Sequence, residues 1–229
     1  MNIFERPGQL DNDKVMSTHE LLARKRILCL YGIISDYGSG YTSRADMFSC
    51  FNIADTLLAL DAEKVAPIRL FIDSPGGLVS SGMMLIDIIK LIKSPVYTIG
   101  KSCQSMAALV LASGEPGHRY VLPHARVMLH LPWGGTSGDA REIEIQAKEM
   151  NVLKEQLVQI LIENGVRKTK KKILEDIDRE FWMNAGEAIK YGVADEVLTR
   201  EALFSEDFEE SDVVSELKVP AKKAKAKKQ

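Results

Sequence analysis

Short apolar runs of strand length alternate with longer stretches of helical apolar spacing from Arg26 to Asn164, and this alternation restricts the chain to the α/β class with mostly parallel strand pairing. Arg26 to Tyr31 reads as a buried strand, and Ala45 to Leu60 as a helix with Met47, Phe48, Phe51, Ile53, Ala54, Leu57 and Leu58 on its apolar face. The unit repeats: Ile68 to Ile72 is a strand that runs into the turn Ser74-Pro75-Gly76-Gly77, and Val79 to Ile92 is a helix. Val96 to Ile99 forms the next strand. A polar turn then ends at Ser105, and Met106 to Ser113 is a helix closed by Gly114. Two short strands are expected at 119–122 and 126–130, separated by Pro123, and a long helix at about 139–164. Between the first strand and helix, the Gly-, Ser- and Tyr-rich stretch from Ser35 reads as a loop. In a sheet of this kind ligands bind beyond the carboxyl ends of the strands, where both the Gly76-Gly77 turn and Ser105 fall.

With 229 residues and 45% hydrophobic content, the chain can bury one substantial core. A formal net charge of −2 gives no global field that would draw it to nucleic acid or anionic lipid, so neither is expected as a partner. Its longest apolar runs fall short of the roughly 20 residues that cross a bilayer. Cys29, Cys50 and Cys103 are odd in number and far apart, which predicts neither a disulfide framework nor a metal site. Together with an N-terminus that lacks a basic, apolar leader, they point to the cytoplasm. The expected organisation is an N-terminal segment at 1–25, one domain at 26–200 and a charged tail at 201–229. The tail is acidic from Ser205 to Glu216 and basic from Lys218, a composition that reads as a disordered appendage.

Chemistry concentrates at Cys103-Gln104-Ser105-Met106-Ala107-Ala108 and at Val127-Met128-Leu129-His130. A serine hydroxyl is a poor nucleophile at neutral pH, so it requires a base within hydrogen-bond reach, and histidine is the usual one. The separation of 25 positions between Ser105 and His130 suffices for one helix and a return through short strands. A serine at a helix start also has the free N–H groups of the first turn beside it, so Met106 can donate to a developing oxyanion. Gly77, with no side chain to block approach, is the second donor. Each motif alone has a plainer reading: Ser-Pro-Gly-Gly as a turn and Ser105 as a helix cap. Cys103 reads as a small packing residue, and His19, His118 and His124 as solvated surface groups.

These motifs, with Phe71-Ile72-Asp73-Ser74-Pro75-Gly76-Gly77, Arg126 to Gly135, Phe181-Trp182-Met183-Asn184-Ala185-Gly186-Glu187-Ala188 and Tyr191-Gly192-Val193-Ala194-Asp195, resemble in order and content the ClpP family of serine peptidases, the proteolytic subunits of the caseinolytic (Clp) protease. The resemblance covers about Arg26 to Thr199. It implies a ClpP/crotonase-type α/β fold with repeated β-β-α and βαβ units, and the 139–164 helix as the handle between stacked rings. It further implies Ser105 as nucleophile, His130 as general base, and Gly77 with Met106 as oxyanion donors. No cofactor or metal is implied, because ATP is used by a partner AAA+ unfoldase. The implied particle is a tetradecamer of two heptameric rings acting on unfolded polypeptides, built from this subunit alone or with a second ClpP-like subunit.

The family's acid is an aspartate, whereas this chain places Glu180 at that position, with Asp178 and Asp176 as fallback candidates. Arg179, beside Glu180, matches an arginine that couples ring contact to triad alignment. Residues around Ser105 also depart from the family: Ala107 follows Ser-Met where glycine is common, and Cys103-Gln104 precede it. Two other readings follow. One is a weak or silent ring subunit with a structural or docking role. The other is a crotonase-type acyl-CoA enzyme, since that fold also holds an oxyanion with glycine-turn amides. A strand-like stretch at Ile143 and Ile145 is a further option for the ring interface.

Overall fold

The computed structural model describes residues 17–35 and 50–203. All of the expected Ser35 to Arg44 loop after Ser35 itself, the start of the helix expected from Ala45, residues 1–16 of the N-terminal segment and nearly all of the charged tail lie outside them. The chain divides into two units, Met1–Val197 and Leu198–Gln229. In the second unit the described residues hold one short helix, Arg200–Leu203.

The first described element is a helix that the sequence reading passed over, α1 at Thr18–Arg24. Its signal is a capping box: the Ser17 hydroxyl accepts from the Glu20 amide while the Glu20 carboxylate accepts from the Ser17 amide at 2.7 Å. Strands β1 (Ile27–Tyr31), β2 (Ile68–Ser74), β3 (Val96–Gln104) and β4 (Arg119–Leu129) then pair in order and in parallel. Helices α2 (Cys50–Glu63), α3 (Val79–Leu91) and α4 (Met106–Ala112) are the connections between them. Parallel neighbours require such crossovers, so the helical spacing in the sequence and the parallel ladder have one cause.

Two expectations are corrected here. Strand β3 continues through Gly100-Lys101-Ser102 to Gln104 instead of ending in a polar turn, because its far half pairs with both β2 and β4. The two strands expected around Pro123 are one element, β4. Its pairing with β3 is nonetheless split: residues 98–100 face 119–121, then 102–104 face 126–128, with a register shift between. Pro123 has no amide to donate, and the shift places it where no ladder bond is required.

After β4 the long helix α5 spans Ala140–Glu163, capped by Asp139 with Glu142 in a second capping box. Ile143 and Ile145 sit on it as exposed helical residues, so the strand-like option is not taken. Helix α6 (Lys170–Asp176) leads to β5 (Phe181–Asn184), which pairs antiparallel with the far half of β4. Helix α7 (Ala185–Tyr191) ends at Gly192, φ 101°, and β6 (Glu196–Val197) pairs in parallel with the near half of β4. The helix Arg200–Leu203 is α8. Among the described residues this gives a six-stranded mixed sheet with eight helices. Every residue of α4 is buried, and Leu30, Leu57, Ile72, Leu85 and Leu129 pack in the same core. That core anchors the junction at which Ser105 stands.

Candidate active site

Ser105 links the end of β3 to the start of α4 with φ 55° and ψ −125°, a left-handed conformation that non-glycine residues rarely hold. Its hydroxyl makes no cap bond to its own helix, so the plain capping reading does not apply. The amide of Ser105 donates to the Met128 carbonyl at 2.8 Å, which extends the β3–β4 ladder by one step. His130 lies just past the end of β4, and its Nε2 is 2.7 Å from Ser105 Oγ. Parallel register closes the 25-residue separation: Gln104 pairs with Met128, and the two side chains emerge immediately beyond that pair. The ring nitrogen accepts the hydroxyl proton when Nδ1 carries its own. Burial pushes the His130 imidazole below its ordinary value, against an opposing pull from the Glu180 charge. Burial therefore favours the neutral, proton-accepting form of the imidazole.

The glycine turn is built against this pair. Buried Ser74 accepts the Gly76 amide on its Oγ at 3.1 Å, which fixes the turn. A Cβ on Gly76 would meet Gln104 O at 2.6 Å and the Ser105 Cβ at 2.8 Å, so the two loops touch through backbone. Ile34 forms an isolated parallel bridge with Gly77: its amide donates to Gly76 O at 2.8 Å, and its carbonyl accepts from the Leu78 amide at 2.8 Å. In that pattern the amide of Gly77 itself points away from Ile34. Its neighbour Gly76 is the residue that lies against Ser105. Met106, at the first turn of α4, is buried, with its side chain against Gly82.

The three acids are placed differently. The antiparallel ladder ends at Leu129–Phe181, with His130 following it on one side and Glu180 preceding it on the other; beyond it the Leu131 amide donates to the Ile177 carbonyl at 3.0 Å, so residues 178–180 pass His130 outside the regular register. The Glu180 carboxylate accepts a hydrogen bond from Trp182 Nε1 at 2.9 Å. Among the described residues, the His130 side chain has one hydrogen-bond partner, Ser105. Asp176 accepts from the Tyr191 hydroxyl at 3.3 Å and pairs with Lys172 at 2.6 Å. Asp178 is exposed beside Arg179, whose side chain is 92% exposed. Trp182, exposed on its outer side, has the Arg126 guanidinium 5.5 Å from its ring centroid. In the sequence Trp182 stands out only as part of the Phe181 to Ala188 motif. The i, i+2 spacing of Glu180 and Trp182 on a strand was the available signal for their contact.

Cys103 is fully buried, with Sγ 3.8 Å from the Ile72 carbonyl, and burial raises its thiol far above the ordinary range, which fits a packing residue. His118 departs from the surface role expected of it. It is half-buried, stacked on Tyr97 at 4.0 Å, with Nδ1 3.1 Å from the Tyr120 hydroxyl. No helix among the described residues is long and apolar enough to cross a membrane.

The sequence model of the Clp protease family matches residues 11–201. Over 191 residues the chain is 36% identical to the ATP-dependent Clp protease proteolytic subunit of Carsonella ruddii, covering 82% of this chain and 92% of that protein. Over 201 residues it is 36% identical to the ATP-dependent Clp protease proteolytic subunit 1 of Borreliella burgdorferi, covering 87% and 96%.

Proposed function

The chain belongs to the Clp protease family, and on that premise we propose that it hydrolyses peptide bonds of unfolded polypeptides with Ser105 as nucleophile and His130 as general base. The observation that carries this reading is the 2.7 Å approach of His130 Nε2 to a Ser105 hydroxyl that is not used as a helix cap. Ser105 Oγ attacks the scissile carbonyl as its proton passes to Nε2. That proton then goes to the leaving amine as the C–N bond breaks, leaving an acyl-enzyme. Water repeats the sequence to release the acid and restore the serine. The carbonyl oxygen gathers negative charge at each addition, and the amides of Gly77 and Met106 are the donors that stabilise it. Loss of one such donor lowers the rate by about a hundred- to thousandfold. Glu180 is the acid whose charge favours the imidazolium, and no metal or cofactor takes part.

In this reading the subunit works in a tetradecamer of two heptameric rings in the cytoplasm, fed by an AAA+ unfoldase that consumes the ATP. The handle α5, with Ile143, Ile145 and Val152 exposed along it, supplies the ring-to-ring face. A second reading, a silent ring subunit, is favoured by one observation: the Glu180 carboxylate is bonded to Trp182. One experiment separates the two. The assembled full-length protein, sized by light scattering, is treated with a fluorophosphonate beside Ser105→Ala and assayed on an unfolded protein. Labelling and proteolysis that are both lost in Ser105→Ala support the protease. An assembled particle with neither supports the silent subunit.

A further inference from the structure

Glu180 adjoins the last pair of the β4–β5 ladder, and its charge acts on the His130 imidazole that follows the same pair on β4. An aspartate there would keep its carboxylate closer to the backbone. Glu180 is one methylene longer and has one more rotatable bond, so its carboxylate reaches beyond that point and has a choice of donors. Strand alternation puts Trp182 on the same face as Glu180, and the indole N–H takes the carboxylate at 2.9 Å. The indole is itself braced, with the guanidinium of Arg126, from the adjacent β4, 5.5 Å from its centroid. Arg126 pairs with Asn184 and Trp182 with Met128, so the two are diagonal neighbours, two registers apart, in the ladder that ends beside His130 and Glu180. Contacts on β4 and β5 thus decide where the acid goes.

We propose that Trp182 is a positioning residue that competes with His130 for the Glu180 carboxylate by holding it on the indole N–H. The consequence for catalysis rests on the protease reading above; the competition itself does not. The charged and titratable neighbours are few: Ser105 faces His130 from the β3–α4 junction, Arg126 faces Trp182 from β4, and Asp178 and Arg179 flank Glu180 on its own segment. Arg179 and Asp178 pair with each other at 3.8 Å, and Arg179 is almost wholly exposed. The competition is therefore between one N–H and one imidazole for one carboxylate.

Two variants break the indole bond from opposite ends. Trp182→Phe keeps an aromatic face for Arg126 and removes the N–H, while Glu180→Asp shortens the acid below the reach of the indole. The full-length protein with histidine-labelled side chains is titrated by NMR, the His130 signal being assigned with His130→Gln, and folding is checked by thermal melting. A carboxylate released toward an imidazole raises its pKa. The expected result is an upward shift of the His130 midpoint in both variants, and no such shift when Trp182→Phe is placed on Glu180→Gln. An unchanged or lowered midpoint in the folded single variants overturns the proposal, as does an equal shift on the Glu180→Gln background. Fluorophosphonate labelling of the same samples keeps the two readings apart. Faster labelling of Ser105 alongside the shift supports both. The shift without labelling in any variant leaves the competition standing and removes the protease reading.

Discussion

Gly76 lies directly against Ser105: a Cβ on the glycine would come within 2.8 Å of the serine Cβ and within 2.6 Å of the Gln104 carbonyl. Gly76 also has φ 87°, so a side chain there would be strained even without the contact. Gly76→Ala is expected to lower stability by roughly 1–3 kcal/mol and to displace the Ser105 backbone. Urea unfolding and fluorophosphonate labelling measure the two effects. An alanine variant as stable and as reactive as the parent would show that the two loops do not depend on each other.

Ser105 holds φ 55° and ψ −125°, values that glycine adopts freely and other residues do not. Ser105→Ala and Ser105→Gly both remove the hydroxyl, yet only glycine relieves the backbone. The glycine variant is expected to be more stable than the alanine variant by about 1 kcal/mol, with labelling abolished in both. Differential scanning calorimetry of the pair reads this difference. An alanine variant equal to or above the glycine variant would mean that the junction carries no strain.

The alternation of apolar runs was enough to place β1, β2, α3, α4 and α5 to within a few residues, because each buries a face whose period is visible in the residues themselves. The polar half of β3 was not legible. Gly100, Lys101 and Ser102 look like a turn, and they become strand only because β2 and β4 supply partners on both sides. That pairing also brings His130 to Ser105, so the spacing in sequence permitted the contact without determining it. The indole bond to Glu180 has a similar origin. It follows from β5 being a strand, which its four residues, Phe181–Asn184, do not announce alone.

Burial raises the thiols of Cys50, to about 12, and of Cys103, and raises that of half-buried Cys29 against a hydrogen bond from Tyr31. Only thiolates alkylate at useful rates. Iodoacetamide at pH 8 is expected to leave Cys50 and Cys103 unmodified in the native protein and to modify all three cysteines in urea. Peptide mass spectrometry reads the sites. Native modification of Cys103 would contradict the closed packing behind Ser105.

Arg119 and Asp195 form a largely buried fork, with Nη2 2.5 Å from Oδ1 and Nε 2.9 Å from Oδ2. The same guanidinium donates to the carbonyls of Ala112, Asn164 and Gly192, and so ties α4, α5 and α7 to β4. Asp195→Asn leaves Arg119 buried without its counter-charge and is expected to cost about 3–5 kcal/mol. Burial alone would raise the Asp195 carboxyl, but hydrogen bonds from the Arg119 side chain and backbone, and from the Gly117 amide, hold it below the ordinary value. A carboxyl lowered on folding adds stability above its unfolded pKa and loses it as pH falls through the folded one. The parent is thus expected to lose stability in acid more steeply than Asp195→Asn. Parallel slopes in urea unfolding between neutral pH and pH 3 would contradict this.

His130 sets the acid side of any reaction at Ser105. Desolvation lowers its pKa, so the neutral imidazole persists below the ordinary histidine midpoint of about 6.5. Glu180 acts in the opposite direction, since its negative charge favours the imidazolium. The acidic limb of Ser105 labelling against pH is therefore expected below that midpoint, and Glu180→Gln is expected to move it lower still while reducing the plateau, because a weaker base takes the proton less readily. The sign for stability follows from the same displacement. A histidine whose pKa falls on folding binds its proton more tightly when unfolded, so its contribution is present above the unfolded value and is lost as pH drops. Labelling rates of the parent and of Glu180→Gln across pH 4.5 to 8 decide the matter. A limb that rises in Glu180→Gln would contradict the sign of the Glu180 effect on His130, and an unmoved limb would place the carboxylate too far from the imidazole to be felt.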